Sequence, residues 1–210
     1  MSSTPPHRPR RPAMFGPHAL DTFEAGTDPA AAAEAAHATA WAIVEAGRSA
    51  DDPELTARLV RLVDDHGLDT IADLWSERPA RSLPGALWRL YVVREWVRRD
   101  GVGAAADYQA GRALAPVADV VAGVAEPPGP DEVRTLADAV LTGVYSGDLD
   151  VALERAAAFC RVVSAGRAVR ADDLADHDES VQLTRRAASL LSTAADLEAA
   201  AHAWRAADLT

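Results

Sequence analysis

The chain has 210 residues and a formal net charge of -11, and 49% of its residues are apolar. That length suits one domain with a single core, since domains usually span about 100 to 200 residues. The negative charge excludes a nucleic-acid-binding surface over the body of the domain, because binding to phosphates needs positive charge. The single cysteine, Cys160, excludes an internal disulfide framework.

Composition also predicts where the protein acts. No apolar run approaches the length of a membrane span, and the N-terminus lacks the apolar core of a signal peptide. A lone cysteine suits the reducing cytosol, so we expect a cytoplasmic protein without a membrane segment. Lysine and asparagine, which have AT-rich codons, are absent. This absence indicates a high-GC genome of actinobacterial type, and it makes an arginine weak evidence for recognition.

The first 17 residues differ from the rest of the chain. Arg8, Arg10 and Arg11 lie among prolines there, and such a basic, proline-rich segment cannot build a core. We predict a disordered arm over residues 1–17 and an all-helical domain over residues 18–210. Nucleic acid is expected as a partner only through this arm, whose charge could hold a polyanion. A start at Met14 instead of Met1 would remove most of it.

Helix start and stop signals organise the first part of the domain. Asp28, followed by a proline, predicts a helix N-terminus, because aspartate caps a helix and proline fits its first turn. We end this helix at Gly47. Pro53 begins a second helix, which has a stripe of leucines and ends at Gly67. A shorter helix is predicted over residues 69–77.

The most apolar stretch of the chain lies near residues 84–100. Apolar residues cover most of the circumference of this predicted helix, which leaves chiefly Arg89, Arg94 and Glu95 for solvent or ion pairs. A helix of this kind is usually central in its domain. We therefore predict that it forms the axis of the core.

A proline- and glycine-rich loop at residues 126–130 interrupts the domain. Before it, weaker patterns predict a helix over residues 104–114 and a turn or helix over residues 116–124. After it, capping residues and apolar stripes predict a helical hairpin with helices over residues 130–147 and 148–166. Neither half is clearly independent, so we interpret the loop as a connection inside one domain.

The last predicted helix, near residues 179–208, has the clearest periodicity in the chain. Its apolar residues recur four and three apart, at Leu183, Ala187, Leu190, Ala194, Leu197, Ala201 and Trp204. Such a seam specifies close packing against another helix, either in the same chain or in a second copy. A homodimer through this helix is therefore one alternative. Together the elements predict an all-α fold, a single-domain bundle of about eight helices.

No segment carries a recognisable set of catalytic groups. The acidic segment 172–179 is the best metal candidate, but it lacks the spacing and the turn glycine of an EF-hand, and a solvated loop that caps the next helix is the alternative. No two histidines have the spacing of a zinc site, and nucleophile-elbow and phosphate-loop motifs are absent. We assign no catalytic, cofactor-binding or metal-binding residues. Cys160 lies in an apolar stretch and is interpreted as a core residue.

One cluster could form a ligand pocket or a partner surface. It consists of Trp88, Tyr91 and Trp96, with Arg94 and Arg98 beside them. The two arginines lie four apart on one helix face and could hold an acidic partner. The structural alternative is that the aromatic rings belong to the core and that the arginines form local ion pairs.

Two stretches resemble a family of uncharacterised, all-helical actinobacterial proteins. They are His18-Ala19-Leu20-Asp21-Thr22-Phe23-Glu24-Ala25-Gly26-Thr27-Asp28-Pro29 and Leu83-Pro84-Gly85-Ala86-Leu87-Trp88-Arg89-Leu90-Tyr91. The resemblance extends from Met14 to the C-terminus. Some relatives carry a name that implies an RNA polymerase beta subunit, although the acidic metal-binding signature and the size of such a subunit are missing here. The resemblance implies no catalytic residues and suggests at most a partner linked to transcription.

We expect a non-catalytic, cytoplasmic helical adaptor or regulator that binds another protein through its acidic surface and a groove between helices. One alternative is a small-ligand-binding protein or enzyme with a pocket near Trp88, Tyr91 and Trp96; a perturbed carboxylate beside a cavity would favour it. Another is an acidic mimic of nucleic acid or a transcription-associated factor, which would array carboxylates on one face.

Overall fold

The computed structural model describes residues 29–50, 53–62, 68–126, 128–146 and 148–209. Within these ranges the protein is all-α, with nine helices and no strand, as the sequence predicts. The predicted arm over residues 1–17, the Asp28 cap and the stop at Gly67 lie outside them. In chain order the helices are α1 (Pro29–Ala50), α2 (Pro53–Val60), α3 (Leu68–Trp75), α4 (Leu83–Arg99), α5 (Gly101–Gly111), α6 (Pro116–Ala122), α7 (Pro130–Ser146), α8 (Leu149–Asp172) and α9 (His177–Arg205).

Local signals set the ends of α4. The Ser82 hydroxyl accepts a hydrogen bond from the backbone N–H of Gly85 at 3.3 Å, and Pro84 fits the first turn, where no backbone donor is needed. At the other end, the Asp100 carboxylate accepts from the backbone N–H of Gly103 at 3.0 Å and so caps α5. The predicted helix near residues 84–100 is therefore α4, and α5 follows it without a loop.

Helices α4 and α8 share the centre of the bundle. Helix α4 packs against α1, α3, α7 and α9, whereas α8 packs against α5, α6, α7 and α9. The predicted core axis, α4, is therefore one of two central helices, and α8 is the other. Because α8 contacts helices on both sides of residues 126–130, the packing crosses that loop. Among the described residues, none of the helices combines the length and the apolarity that crossing a bilayer would require.

Two glycines that the sequence analysis placed at helix ends lie inside helices. Helix α1 continues past Gly47 to Ala50, and α8 continues past Gly166 to Asp172. Both glycines allow close packing: a Cβ on Gly47 would lie 2.7 Å from the Cβ of Tyr145, and one on Gly166 would lie 1.8 Å from the carbonyl oxygen of Asp107 in α5. The predicted stops at these positions are wrong, because here glycine brings two helices together.

The seam of α9 packs against α8 of the same chain, which makes their contact the most extensive in the bundle. Ala187, Ala194, Leu197 and Ala201 are buried, and the Ser164 hydroxyl of α8 donates to the carbonyl oxygen of Ala187 at 2.7 Å. Small alanines let the two helices approach closely. Of the two alternatives for the seam, the structure shows the internal one, so a homodimer through α9 would have to use another face.

Candidate functional site

An open groove lies between α4 and the first half of α9. Its cavity measures about 700 Å³. We call it the α4/α9 groove and define it by the residues that line it, which are Ser76, Trp88, Arg89, Val92, Val93, Trp96, Asp100, Gly103, Asp107, Arg167, Arg170, Leu183, Arg186, Ser189, Leu190 and Thr193.

Helical periodicity builds both walls of the groove. Trp88, Val92 and Trp96 stand four residues apart on α4, so they share one face. On α9 the lining residues recur three or four apart over residues 183–193, beside the face that packs against α8. The α4 wall is therefore a stripe of mainly apolar side chains, whereas the α9 wall combines Leu183 and Leu190 with polar residues.

Buried charges form the floor. The carboxylate of Asp107, which is only 2% exposed, pairs with the guanidinium of Arg167 at 2.7 Å and also with that of Arg170. The Arg167 guanidinium carbon lies 4.9 Å from the centre of the Trp96 ring, a cation–π distance. One carboxylate between two arginines leaves an excess of positive charge at this end of the groove.

The other end is closed by an ion pair. Arg89 Nε lies 3.1 Å from an Asp196 carboxylate oxygen, which links α4 to α9, and Arg89 also donates to the carbonyl oxygen of Gly85. Arg186, on the α9 wall, is exposed, and no carboxylate among the described residues pairs with it. Three arginines of the groove, Arg89, Arg167 and Arg170, are therefore paired with a carboxylate, whereas Arg186 has no such pair among the described residues.

The structure divides the predicted cluster of five residues. Trp88 and Trp96 line the α4/α9 groove, but Tyr91 does not. Tyr91 is fully buried on a different side of α4, where its hydroxyl donates to the carbonyl oxygen of Leu59 at 2.7 Å and bonds to the Tyr145 hydroxyl. Burial raises the pKa of Tyr91 to about 12, so this hydroxyl stays protonated. Tyr91 therefore fits the alternative that placed these aromatic rings in the core, whereas the two tryptophans line the groove.

Arg94 and Arg98 do not form one shared surface that could bind an acidic partner either. The Arg94 side chain is only 3% exposed, and its Nε lies 2.6 Å from an Asp138 carboxylate oxygen of α7. Of the two predicted alternatives for Arg94, solvent or an ion pair, the structure shows the ion pair. Arg98 is exposed and lies 3.7 Å from Glu95 on the same helix. Neither arginine lines the α4/α9 groove.

Sequence reasoning missed the floor of the groove. Arg167 follows Phe159, Cys160 and Val163 at the spacing of the buried face of α8. This spacing could have predicted that Arg167 is buried. We ended that helix at Gly166, so the arginines after it were placed outside the core pattern. Cys160 itself is buried, and burial raises the pKa of its thiol to about 12. At neutral pH it is therefore a protonated core side chain.

The acidic segment has a structural role. The Asp176 carboxylate accepts a hydrogen bond from the backbone N–H of Glu179 at 2.9 Å and caps α9, while Asp172 ends α8. Within the part of the chain that the structure describes, no three His, Cys, Asp or Glu side chains are grouped so that they could hold a metal ion.

A second exposed surface lies on and beside α6. Val117 and Val120 are 78% and 79% exposed, and Leu114 and Val121 are also exposed. This α6 patch carries no charged side chain of its own at those four positions. Val117 and Val121 also line a second open cavity of about 570 Å³, whose lining includes charged residues of α8 and α9, so charged groups border this patch as well.

Comparison with protein-family models, with curated proteins and with solved structures found no significant match for this chain.

Proposed function

We propose that the protein is a non-catalytic cytoplasmic adaptor or regulator that binds a segment of another protein in the α4/α9 groove. The observation that carries this proposal is the open groove itself, in which the apolar stripe of α4 faces Leu183 and Leu190 of α9. A partner helix can place its own apolar face between these two walls, with anchors at every third or fourth residue.

The dimensions of the groove support a helical partner. At a rise of 1.5 Å per residue, the α9 wall over residues 183–193 is about 15 Å long, and the α4 stripe over residues 88–96 is about 12 Å long. These lengths match two to three turns of a helix. Trp88 and Trp96 supply the aromatic surface that often contributes most of the binding energy at protein interfaces.

A small-molecule ligand is a second candidate, because the cavity volume of about 700 Å³ falls within the range of ligand pockets. The two candidates differ in how they use the groove. A small ligand would occupy the space near Trp96 and Arg167, whereas a polypeptide would contact both walls along their whole length.

The test uses a matched pair of variants on α9. Ser189 lines the groove and Ser192 does not, and both are exposed. Ser189→Trp fills the groove, while Ser192→Trp adds the same bulk outside it. Neither substitution removes buried surface, so we expect both variants to fold like the wild type. Melting temperatures close to that of the wild type would confirm this.

The tagged wild type and both variants are used to capture proteins from the native cytosol. We expect one stoichiometric protein that the wild type and Ser192→Trp retain and that Ser189→Trp loses. A partner that all three proteins retain equally would contradict binding in this groove. A co-purifying small molecule that only Ser189→Trp loses would favour the second candidate.

A further inference from the structure

We infer that the segment bound in the α4/α9 groove is an acidic amphipathic helix whose carboxylates meet Arg186 and Arg170. This inference rests on the proposed function and names the chemistry of the partner. Apolar residues of the segment would lie between Trp88, Val92 and Leu190, and an Asp or Glu would lie on the turn that faces the floor of the groove.

The charge of the groove is opposite to that of the chain. The protein carries a net charge of -11, yet the residues that line the groove include four arginines and two aspartates. An acidic protein repels other polyanions over most of its surface, so a basic groove gives an acidic segment one place to bind. The charge balance therefore favours a partner that is acidic locally.

The carboxylates already present do not saturate these arginines. Asp107 is shared by two guanidinium groups, and Asp100 caps α5 through Gly103. An arginine side chain has five N–H donors, and Arg170 is 44% exposed, so part of its guanidinium can still donate to a ligand. Arg186 has no ion-pair partner among the described residues. Two positive groups thus remain open at one end of the groove.

The positions of the groups define a pattern for the bound segment. The apolar contacts follow the two helices, and the open guanidinium groups belong to the α8 floor and the α9 wall. A helix with apolar residues at positions i, i+3 or i+4, and i+7 would lie along both walls. A carboxylate one turn away on the adjoining face could then form a bidentate pair with an arginine.

The experiment uses peptides selected without assuming their sequence. A displayed library of random residues on a helical peptide framework is selected against the full chain, and the affinities of the enriched peptides are measured by fluorescence polarisation. Arg186→Glu reverses the charge in the groove. Arg185→Glu makes the same change on the neighbouring exposed arginine, which does not line the groove. Ser189→Trp reports whether a peptide binds in the groove at all.

We expect enriched peptides that carry Asp or Glu beside an apolar stripe. Their affinity should fall at least about tenfold in Arg186→Glu and at most about twofold in Arg185→Glu, because a reversed charge repels a carboxylate that it contacts. Added salt should weaken wild-type binding and leave the residual Arg186→Glu binding less affected.

Two results would overturn the inference in distinguishable ways. In the first result, Ser189→Trp excludes the peptides, but they are neutral or basic, or they bind Arg186→Glu as tightly as Arg185→Glu. This result would refute an acidic partner and would still support binding in the groove. If no peptide is enriched, or if enriched peptides bind Ser189→Trp as tightly as the wild type, the proposed function fails and this inference fails with it.

Discussion

Helix α4 has two sides that meet very different surroundings. On one side, which we call the sealed side, Tyr91 and Arg94 are buried and hydrogen-bonded to α2 and α7. On the other, the open side, Trp88 and Trp96 are half-buried and line the groove that α9 leaves exposed. The same helix therefore supports the core and presents a surface.

The difference lies in where the polar groups find partners. The Tyr91 hydroxyl and the Arg94 guanidinium bond to groups within the protein, so they stabilise the fold and offer little to a ligand. On the open side, Arg186 remains exposed without a carboxylate from the described residues. Aromatic residues on one helix thus divide into a structural and a candidate binding set according to the side that they occupy.

The largest expected effect on stability comes from a substitution at Gly166, where α8 crosses α5 beneath the groove. In Gly166→Ala the new methyl would lie 1.8 Å from the Asp107 carbonyl oxygen, so α5 and α8 must separate. We expect a loss of about 3 kcal/mol or more in the free energy of unfolding, measured by urea denaturation.

Gly143→Ala is the matched control for this change. The new methyl would meet only the Ala152 side chain at 3.5 Å, an ordinary contact, within a helix that prefers alanine. We expect unchanged or slightly higher stability. Equal losses in the two variants would show that the crossing of α5 and α8 is not as close as described.

A smaller effect is expected from the sealed side of α4. Tyr91→Phe removes the hydroxyl between Leu59 and Tyr145 and leaves their buried polar atoms with one partner fewer. We expect a loss of about 1 to 2 kcal/mol in the free energy of unfolding. On the open side, Trp88→Phe should cost less than about 1 kcal/mol, since Trp88 is only half-buried. Chemical denaturation measures both losses. A larger loss in Trp88→Phe than in Tyr91→Phe would contradict the division of α4 into a sealed and an open side.

The smallest expected effect is at the C-terminal end of α9, where Arg205 pairs with Asp150 at 2.7 Å and with Glu154 at 2.6 Å. The hydrogen bond from Arg205 lowers the pKa of Glu154. A lowered folded-state pKa adds stability above the ordinary glutamate pKa of about 4.3, and this stability disappears as the pH falls through the lower value.

Arg205→Ala should therefore melt slightly below the wild type near neutral pH. The gap between the two melting temperatures should shrink as the pH falls below the ordinary glutamate pKa of about 4.3, because protonation of Glu154 removes the charge that Arg205 pairs with. The pair is largely exposed, so the gap is small and should also decrease with added salt. A gap that widens at low pH would contradict this account of the pair.

Much of the fold could be predicted from local signals. Proline and capping residues placed the starts of α2, α4 and α7 within two residues, and the seam at Leu183, Ala187 and Leu190 gave the phase of α9. These signals depend on residues within one helix or on residues adjacent to it in the sequence. Gly47 and Gly166 were wrongly predicted as helix ends, because their role depends on a second helix whose position the sequence does not give.

The candidate site was harder to predict for a related reason. Because α4 is apolar around most of its circumference, its periodicity could not show which side meets the core, and Tyr91 was grouped with Trp88 and Trp96. The floor comes from Asp107 and Arg167, which are 60 residues apart and meet only through the crossing of α5 and α8. A site assembled from several helices needs the tertiary arrangement before it can be recognised.

The most direct test of groove binding is site-specific photo-crosslinking in the native cytosol. A photoreactive phenylalanine analogue replaces Trp88 in the α4/α9 groove, where it exchanges one large aromatic side chain for another, or, in a second protein, the exposed Val120 of the α6 patch. We predict one discrete protein adduct from position 88 and none from position 120. An adduct from position 120 alone would contradict the account, because it would place the partner on the α6 patch.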